Sequence, residues 1–279
     1  MLAVTLVVVG GVLFAGWAGR SLIAGKTKDV DYIHPRILMY HMVREPVAGA
    51  TFNKLRVKPE QFEAQVRWLA NEGWYFATME ELAERCHPST SATPLPKKSV
   101  VLTFDDGYED NLVNADPILE RYGARATLYL VSDRFDRDWS TYKKAHHDSG
   151  ELLREPKLSD KQIDTMVRSG RWELGGHTVT HANLKAIDDQ QRQREIKDQR
   201  GVLQERFGQA ISSFAYPFGI YGSEDVSLVR EAGYRTAVTT EEGISADPKG
   251  ESLELRRIKV SGKDSLTIFQ RRLRTGVKR

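Results

Sequence analysis

The chain has 279 residues, of which 40% are apolar, 28% charged and 9% aromatic; this is a globular composition and excludes a collagenous, disulfide-stapled or disordered chain. Lys and Arg number 41 against 38 Asp and Glu, and the resulting +3 sits in residues 271–279, which hold five cations and no acid, so the body is not basic and no nucleic-acid partner is expected. The single cysteine, Cys86, excludes an internal disulfide and a thiolate zinc site, so any metal has to be held by His and carboxylates.

Residues 1–19 (MLAVTLVVVGGVLFAGWAG) carry no charge, and a helix of that length nearly spans the ~30 Å hydrocarbon core of a bilayer. They predict a signal anchor or signal peptide over residues 1–25, with Gly16-Trp17-Ala18 as a weak small-x-small cleavage site. Arg20, Lys26 and Lys28 follow, and the positive-inside rule by itself would keep the remainder in the cytoplasm.

The domain proper is expected over 33–279. It opens with a strand at 36–41 (RILMYH), a helix at 59–71 whose Phe62, Val66 and Leu69 recur at helical spacing, and a short helix at 79–86. A Pro/Ser/Thr-rich connector (87–99) leads to the clearest strand, 100–104. Then come a helix at 110–122 stopped by Gly123, a strand at 126–131, a polar excursion at 133–156, a helix at 160–169 and a strand at 172–174. A long charged helix (188–207), a strand (213–216), a helix (224–232), strands at 234–239 and 253–260 and a last helix (266–273) complete the chain. About seven strand–helix units predict an α/β fold with a parallel sheet, open or closed into a barrel, and in either the chemistry sits at the carboxyl ends of the strands.

Two strand ends carry candidate chemistry. Asp105 and Asp106 stand side by side before Gly107 at the end of the clearest strand (TFDDG); two adjacent carboxylates are costly unless a cation separates their roles, although turn preference alone also produces Asp-Asp-Gly. His177 and His181 (HTVTH) follow another strand, four positions apart, which on one face of a helical turn would aim two imidazoles at one metal; surface histidine pairs also occur without one.

TFDDG followed by HTVTH and then Tyr216-Pro217-Phe218-Gly219 resembles the polysaccharide deacetylases of carbohydrate esterase family 4, the NodB-homology group, over about residues 100–239. The resemblance implies a distorted (β/α)7 barrel, Asp105 as catalytic base, and Asp106, His177 and His181 as ligands of a divalent ion, zinc ahead of manganese, cobalt or nickel. Three features depart from the family pattern. Ala215 stands where the third motif normally begins with an Arg that braces the base; no histidine follows His181 to supply the late Leu-x-His acid; and no Asp-x-x-Asp-Trp follows the third motif, the nearest likeness being residues 136–139, which end in Trp139.

His41 is the candidate for the missing acid. First and last strands are neighbours in a closed barrel, so a circularly permuted order would bring His41 to the active rim, an arrangement similar to the deacetylases of exported poly-N-acetylglucosamine in biofilm systems; a buried core histidine is the blander reading. Arg256 and Arg257 could stand in for the missing Arg or be plain edge residues. A backbone N–H near Tyr216 and Pro217 is expected to hold the oxyanion, and Trp139 and Tyr221 to stack on sugar rings or seal the mouth. The implied reaction is hydrolysis of N-acetyl groups on an N-acetylated polysaccharide, releasing acetate, with poly-β-1,6-N-acetylglucosamine ahead of peptidoglycan or chitin-type glycans. The implied partners are the membrane, through the N-terminal segment, and an exopolysaccharide export system. An exported polymer places the domain outside the cytoplasmic membrane, anchored or secreted, against the local charge rule. A haloacid-dehalogenase phosphatase is the competing enzyme class, but its Asp-x-Asp spacing is not met and it has no use for the His pair. A glycan-binding barrel weakened by Ala215 is the non-enzyme alternative.

Overall fold

The computed structural model describes residues 32–86 and 93–278; the predicted segment at 1–25 and part of the connector lie outside the described residues. Among the described residues, no helix is long and apolar enough to cross a membrane.

Among the described residues, ten strands form in chain order: β1 (Arg36–Tyr40), β2 (Met42–Val43), β3 (Arg56–Val57), β4 (Tyr75–Ala77), β5 (Ser99–Asp105), β6 (Ala126–Leu130), β7 (Trp172–Gly176), β8 (Ser213–Ala215), β9 (Thr236–Glu242) and β10 (Leu255–Lys259). Seven of them close a parallel ring in the order β1-β10-β9-β8-β7-β6-β5 and back to β1. The closing seam is the expected one. β1 pairs with β5 from Arg36↔Val100 to Tyr40↔Phe104, and on its other edge with β10 through Leu38↔Ile258 and Met39↔Lys259, so the first strand lies between the last strand and β5. β4 pairs with the beginning of β5, and β2 with β3 in a separate two-residue ladder.

Strand periodicity sorts the side chains into two cores. Ile37, Val101, Tyr129, Ala215, Val238 and Leu255 meet inside the ring, where Ala77, Met79 and Leu82 join them from β4 and α2 (Met79–Cys86). Leu38, Leu102, Phe104, Leu128, Leu174, Phe214 and Ile258 face outward under the helices. Those helices are α1 (Pro59–Asn71), α3 (Asp116–Arg121), the short α4 (Ser140–Lys143), α5 (Asp160–Arg168), α6 (Asp189–Gln193), α7 (Gln199–Phe207), α8 (Ser223–Glu231) and α9 (Leu266–Thr275). Phe62, Val66 and Leu69 of α1 pack as their spacing predicts, and strands covered on both faces read as apolar runs for that reason.

Two predicted helices are interrupted. The one expected at 110–122 begins as a π turn (Asn111–Ala115) and becomes α-helical only at Asp116, next to Pro117, which has no N–H to give. The long charged helix is split by a second π turn (Arg194–Asp198) between α6 and α7.

Candidate active site

At the carboxyl end of β5 the chain makes a sharp turn. Asp106 (φ +81°) and Gly107 (φ +80°) are both left-handed, and a Cβ at 107 would lie 2.7 Å from Leu130 Cδ1, so only glycine fits there. The amide of Asp106 donates to the Tyr129 carbonyl at 3.0 Å, which fixes the carboxylate above the ring of strands.

The histidine pair comes off β7, but not on a helical turn as the spacing suggested. Residues 177–181 form an irregular loop with positive φ at Thr178 (+63°) and His181 (+58°). Other chain segments hold that loop. Gln199 on α7 donates to the Thr178 carbonyl at 2.8 Å, Glu195 accepts from the Thr180 amide at 2.9 Å and its hydroxyl at 2.7 Å, and the Asp133 amide donates to Val179.

Asp106, His177 and His181 are all buried, and their potential ligand atoms lie within 4.8 Å of one another. The Nε2 atoms of His177 and His181 are 3.4 and 3.2 Å from Asp106 Oδ1, which accepts no hydrogen bond. His177 Nδ1 lies 2.7 Å from the Ala215 carbonyl, which can only accept, so that nitrogen carries the proton. With Nδ1 so engaged, Nε2 is the ring atom left to face Asp106 Oδ1, the orientation of a metal-ligating histidine whose other nitrogen is held by a carbonyl. Burial lowers the pKa of His181, keeping it neutral as a ligand must be. Burial alone would raise Asp106, but the facing histidines, when protonated, outweigh it and hold the carboxyl well below its usual range, a place that a metal cation would fill equally. The donor set fits a divalent ion of the zinc class.

Asp105 is held differently. Arg257 on β10 grips it with Nη1–Oδ1 at 2.7 Å and Nη2–Oδ2 at 2.8 Å, while the same guanidinium donates to Thr103 Oγ1 and, through Nε, to the Thr239 carbonyl. Burial pushes Asp105 up, and the Arg257 charge and fork more than offset it, so the carboxyl ionises below its usual pKa. Of the two arginines considered on the last strand, Arg257 is inside the barrel and Arg256 is on its outer side, paired with Glu241.

A cavity of about 340 Å³ opens over these residues, lined also by His41, Met39, Phe52, Trp139, Phe218 and Thr240. His41 follows β1, is half-buried, lines the cavity with Asp105 and Asp106, and its carbonyl accepts from Asn111 Nδ2 at 2.9 Å. The excursion at 133–156 walls the cavity. Fully buried Arg56 on β3 binds Glu151 at 2.7 Å and Glu155 at 2.6 Å and ties that wall down.

Of four further residues expected at the mouth, Tyr216, Pro217 and Tyr221 are placed elsewhere or otherwise, and Trp139 takes the sealing role of its two readings. The Tyr216 amide donates to the Val238 carbonyl at 3.2 Å and its hydroxyl to Leu253, so its N–H is already engaged; Pro217 has none, and Phe218 is the residue of that motif at the cavity. Tyr221 stacks on Tyr216 with centroids 4.1 Å apart and donates to Glu254, off the cavity. Trp139 is 1% exposed and backs His181 at 5.0 Å, sealing the mouth. Lys143, Lys144 and Lys259 also line the cavity and were not singled out in the sequence. Lys259 was findable, because it stands two residues beyond Arg257 on the same face of one strand.

Residues 92–237 match the family model described as polysaccharide deacetylase. The chain is 31% identical over 229 residues to YxkH of Bacillus subtilis, which carries the name of a polysaccharide deacetylase, covering 81% of this chain and 71% of that one. It is 26% identical over 222 residues to the poly-beta-1,6-N-acetyl-D-glucosamine N-deacetylase of Staphylococcus epidermidis, covering 77% of this chain and 71% of the relative. The structure of the Streptococcus pyogenes deacetylase PplD, in complex with acetate, superposes with a TM-score of 0.71 at 28% identity over 86% of this chain and 97% of that one. With the strand-end carboxylates and histidines assembled at the mouth of a seven-stranded barrel, this chain belongs to the polysaccharide deacetylase family and is a hydrolase of that kind.

Proposed function

We propose that the chain hydrolyses N-acetyl groups on an N-acetylglucosamine-containing polysaccharide, releasing acetate and leaving free amines on the polymer. The observation that carries this reading is the pairing of an Asp105 carboxylate kept ionised by Arg257 with a buried Asp106–His177–His181 cluster that calls for a cation. A divalent ion, zinc first, bound by Asp106, His177 and His181 would polarise the acetyl carbonyl and make water a stronger acid.

Asp105 accepts the proton of the water that attacks the acetyl carbon. Arg257 keeps that carboxylate charged and aimed, and each such positioned acid or base contributes on the order of 10²–10⁴-fold. As the C–N bond breaks, His41 donates a proton to the departing nitrogen, which leaves as an amine. Phe218 takes over from Tyr216 as the backbone donor to the developing oxyanion, because it is the third-motif residue that lines the cavity. Trp139 keeps bulk water from His181.

The polymer named for the Staphylococcus epidermidis relative supports poly-β-1,6-N-acetylglucosamine as the first substrate to test, and the acetate with PplD supports acetate as the product. An exported polymer puts the domain outside the cytoplasmic membrane, with residues 1–25 as signal anchor or signal peptide and an exopolysaccharide export system as partner. The weakened binding-barrel reading rested on Ala215, and Arg257 supplies the brace that Ala215 lacks.

The test is acetate release from N-acetylglucosamine oligomers with and without chelator. Chelator-sensitive acetate is the expected result; its absence with metal supplied sinks the proposal. Protease accessibility of the domain on intact cells and spheroplasts tests the location.

A further inference from the structure

On β10 the side chains alternate, and Leu255, Arg257 and Lys259 share the inward face. Leu255 belongs to the interior core and Arg257 grips Asp105. Lys259, one step nearer the mouth and beside Met39 in register, is half-buried and lines the cavity. From the excursion come Lys143, at the end of α4, and Lys144; both are exposed on the cavity wall, and Lys143 Nζ lies 5.9 Å from the Phe218 ring.

Among the described residues, none of these three ammonium groups has a carboxylate partner, unlike Arg44, Arg56, Arg134 and Arg137, all of which pair with acids of the same excursion or the helix after it. Among the described residues, the only carboxylates that line the cavity are Asp105, gripped by Arg257, and Asp106, facing the two histidines. The cavity wall outside the hydrolytic centre is therefore cationic. Lysine on an open surface needs no ligand, but three ammonium groups lining one cavity without acidic partners give it a positive potential that an anion there would neutralise. A neutral polymer offers that mouth only hydroxyls and amides.

We propose that the cavity selects an N-acetylated glycan that carries a negative group, a carboxylate or a phosphate, on or next to the sugar that loses its acetyl, and that Lys259 with Lys143 and Lys144 reads that charge. Carboxylate and phosphate share the chemistry that lysine recognises, a compact oxyanion met by a point charge. This rests on the deacetylase reading above but departs from its first substrate, since poly-β-1,6-N-acetylglucosamine is neutral and serves below as the reference set.

The test compares acetate release by the metal-loaded protein from three matched oligosaccharide sets: neutral N-acetylglucosamine oligomers, oligomers bearing a carboxylate on the neighbouring sugar, and oligomers bearing a phosphate there. The expected result is kcat/KM roughly tenfold higher for one or both anionic sets at low salt, the advantage lying in KM and shrinking as ionic strength rises. The better of the two anionic sets identifies the oxyanion. Lys259→Gln, and separately the Lys143→Gln/Lys144→Gln pair, should each lower the ratio of anionic to neutral kcat/KM. A neutral set equal to or better than both anionic ones overturns the proposal, as does a ratio that neither variant moves. If no set yields acetate, the deacetylase reading of the site fails, and calorimetric titration with the same oligosaccharides still decides the charge preference: tighter binding of an anionic set, lost in Lys259→Gln, supports it, and equal binding refutes it.

Discussion

Arg257 and Asp105 meet fork to fork, both N–H···O contacts within 2.8 Å, at fully buried positions on strands that β1 separates. A lysine at 257 keeps a charge but not two parallel donors. Arg257→Lys should hold its metal and lower kcat by about tenfold or more, a part of the ~10²–10⁴-fold that a positioned general base contributes. Arg257→Met leaves Asp105 buried and unpaired and should cost about 3–5 kcal/mol of stability. Steady-state rates, metal content and denaturant unfolding check both variants; a Lys variant with unaltered kcat would remove Arg257 from the machinery.

Restoring the family's usual third-motif arginine should not help. Ala215 is fully buried in the interior core among Ile37, Val101, Tyr129 and Val238, and its carbonyl holds His177 Nδ1. Ala215→Arg should overpack that core, costing at least about 1–3 kcal/mol, and reduce metal occupancy through His177. Thermal melting with metal analysis measures both effects, and higher activity in this variant would contradict the assignment of the brace to Arg257.

The two adjacent carboxylates should separate cleanly by substitution. Asp106→Ala is expected to abolish metal uptake and activity together, because it removes the oxygen that both imidazoles face. Asp105→Asn should bind metal as the unmodified protein does and lose turnover by about 10²–10⁴-fold. Elemental analysis beside acetate release distinguishes the two; an Asp105→Asn enzyme at full rate would reassign the base.

The other end of the barrel predicts a pH dependence of stability. Glu173 on β7 accepts from Thr127 Oγ1 at 2.5 Å and from the Glu80 amide in the first turn of α2 at 3.0 Å, and burial pushes its pKa up to about 7. Because the folded pKa lies above the unfolded one, folding favours the protonated form. Its stabilising contribution is complete below the unfolded value near 4.5, declines as pH rises through about 7, and is constant beyond. Glu173→Gln should flatten the fall in melting temperature across that window; parallel curves for both proteins would show that Glu173 does not titrate there.

Much of this was legible in the residues. Apolar runs identified the buried strands, and Asp105, Asp106, His177 and His181 came from their positions after strands. His41 could be placed at the rim because a closed barrel makes first and last strands neighbours, and β1 does lie beside β10. What escaped was set by tertiary partners. His177 and His181 converge through left-handed backbone that Glu195 and Gln199 hold, not through helical spacing. The engagement of the Tyr216 amide depends on β9 pairing, and the choice of Arg257 over Arg256 depends on which face of β10 turns inward, a parity that one residue of register reverses.

The lysine-lined mouth bears on what the enzyme leaves behind. Each acetyl group removed turns a neutral amide into an amine that is protonated at neutral pH, beside Lys143, Lys144 and Lys259. Like charges then push the finished unit out of the mouth and make a stretch already rich in free amines a poor next occupant. On this electrostatic ground the proposed reaction would release the polymer between turnovers and space the freed amines along it, so runs of adjacent free amines are disfavoured in the product.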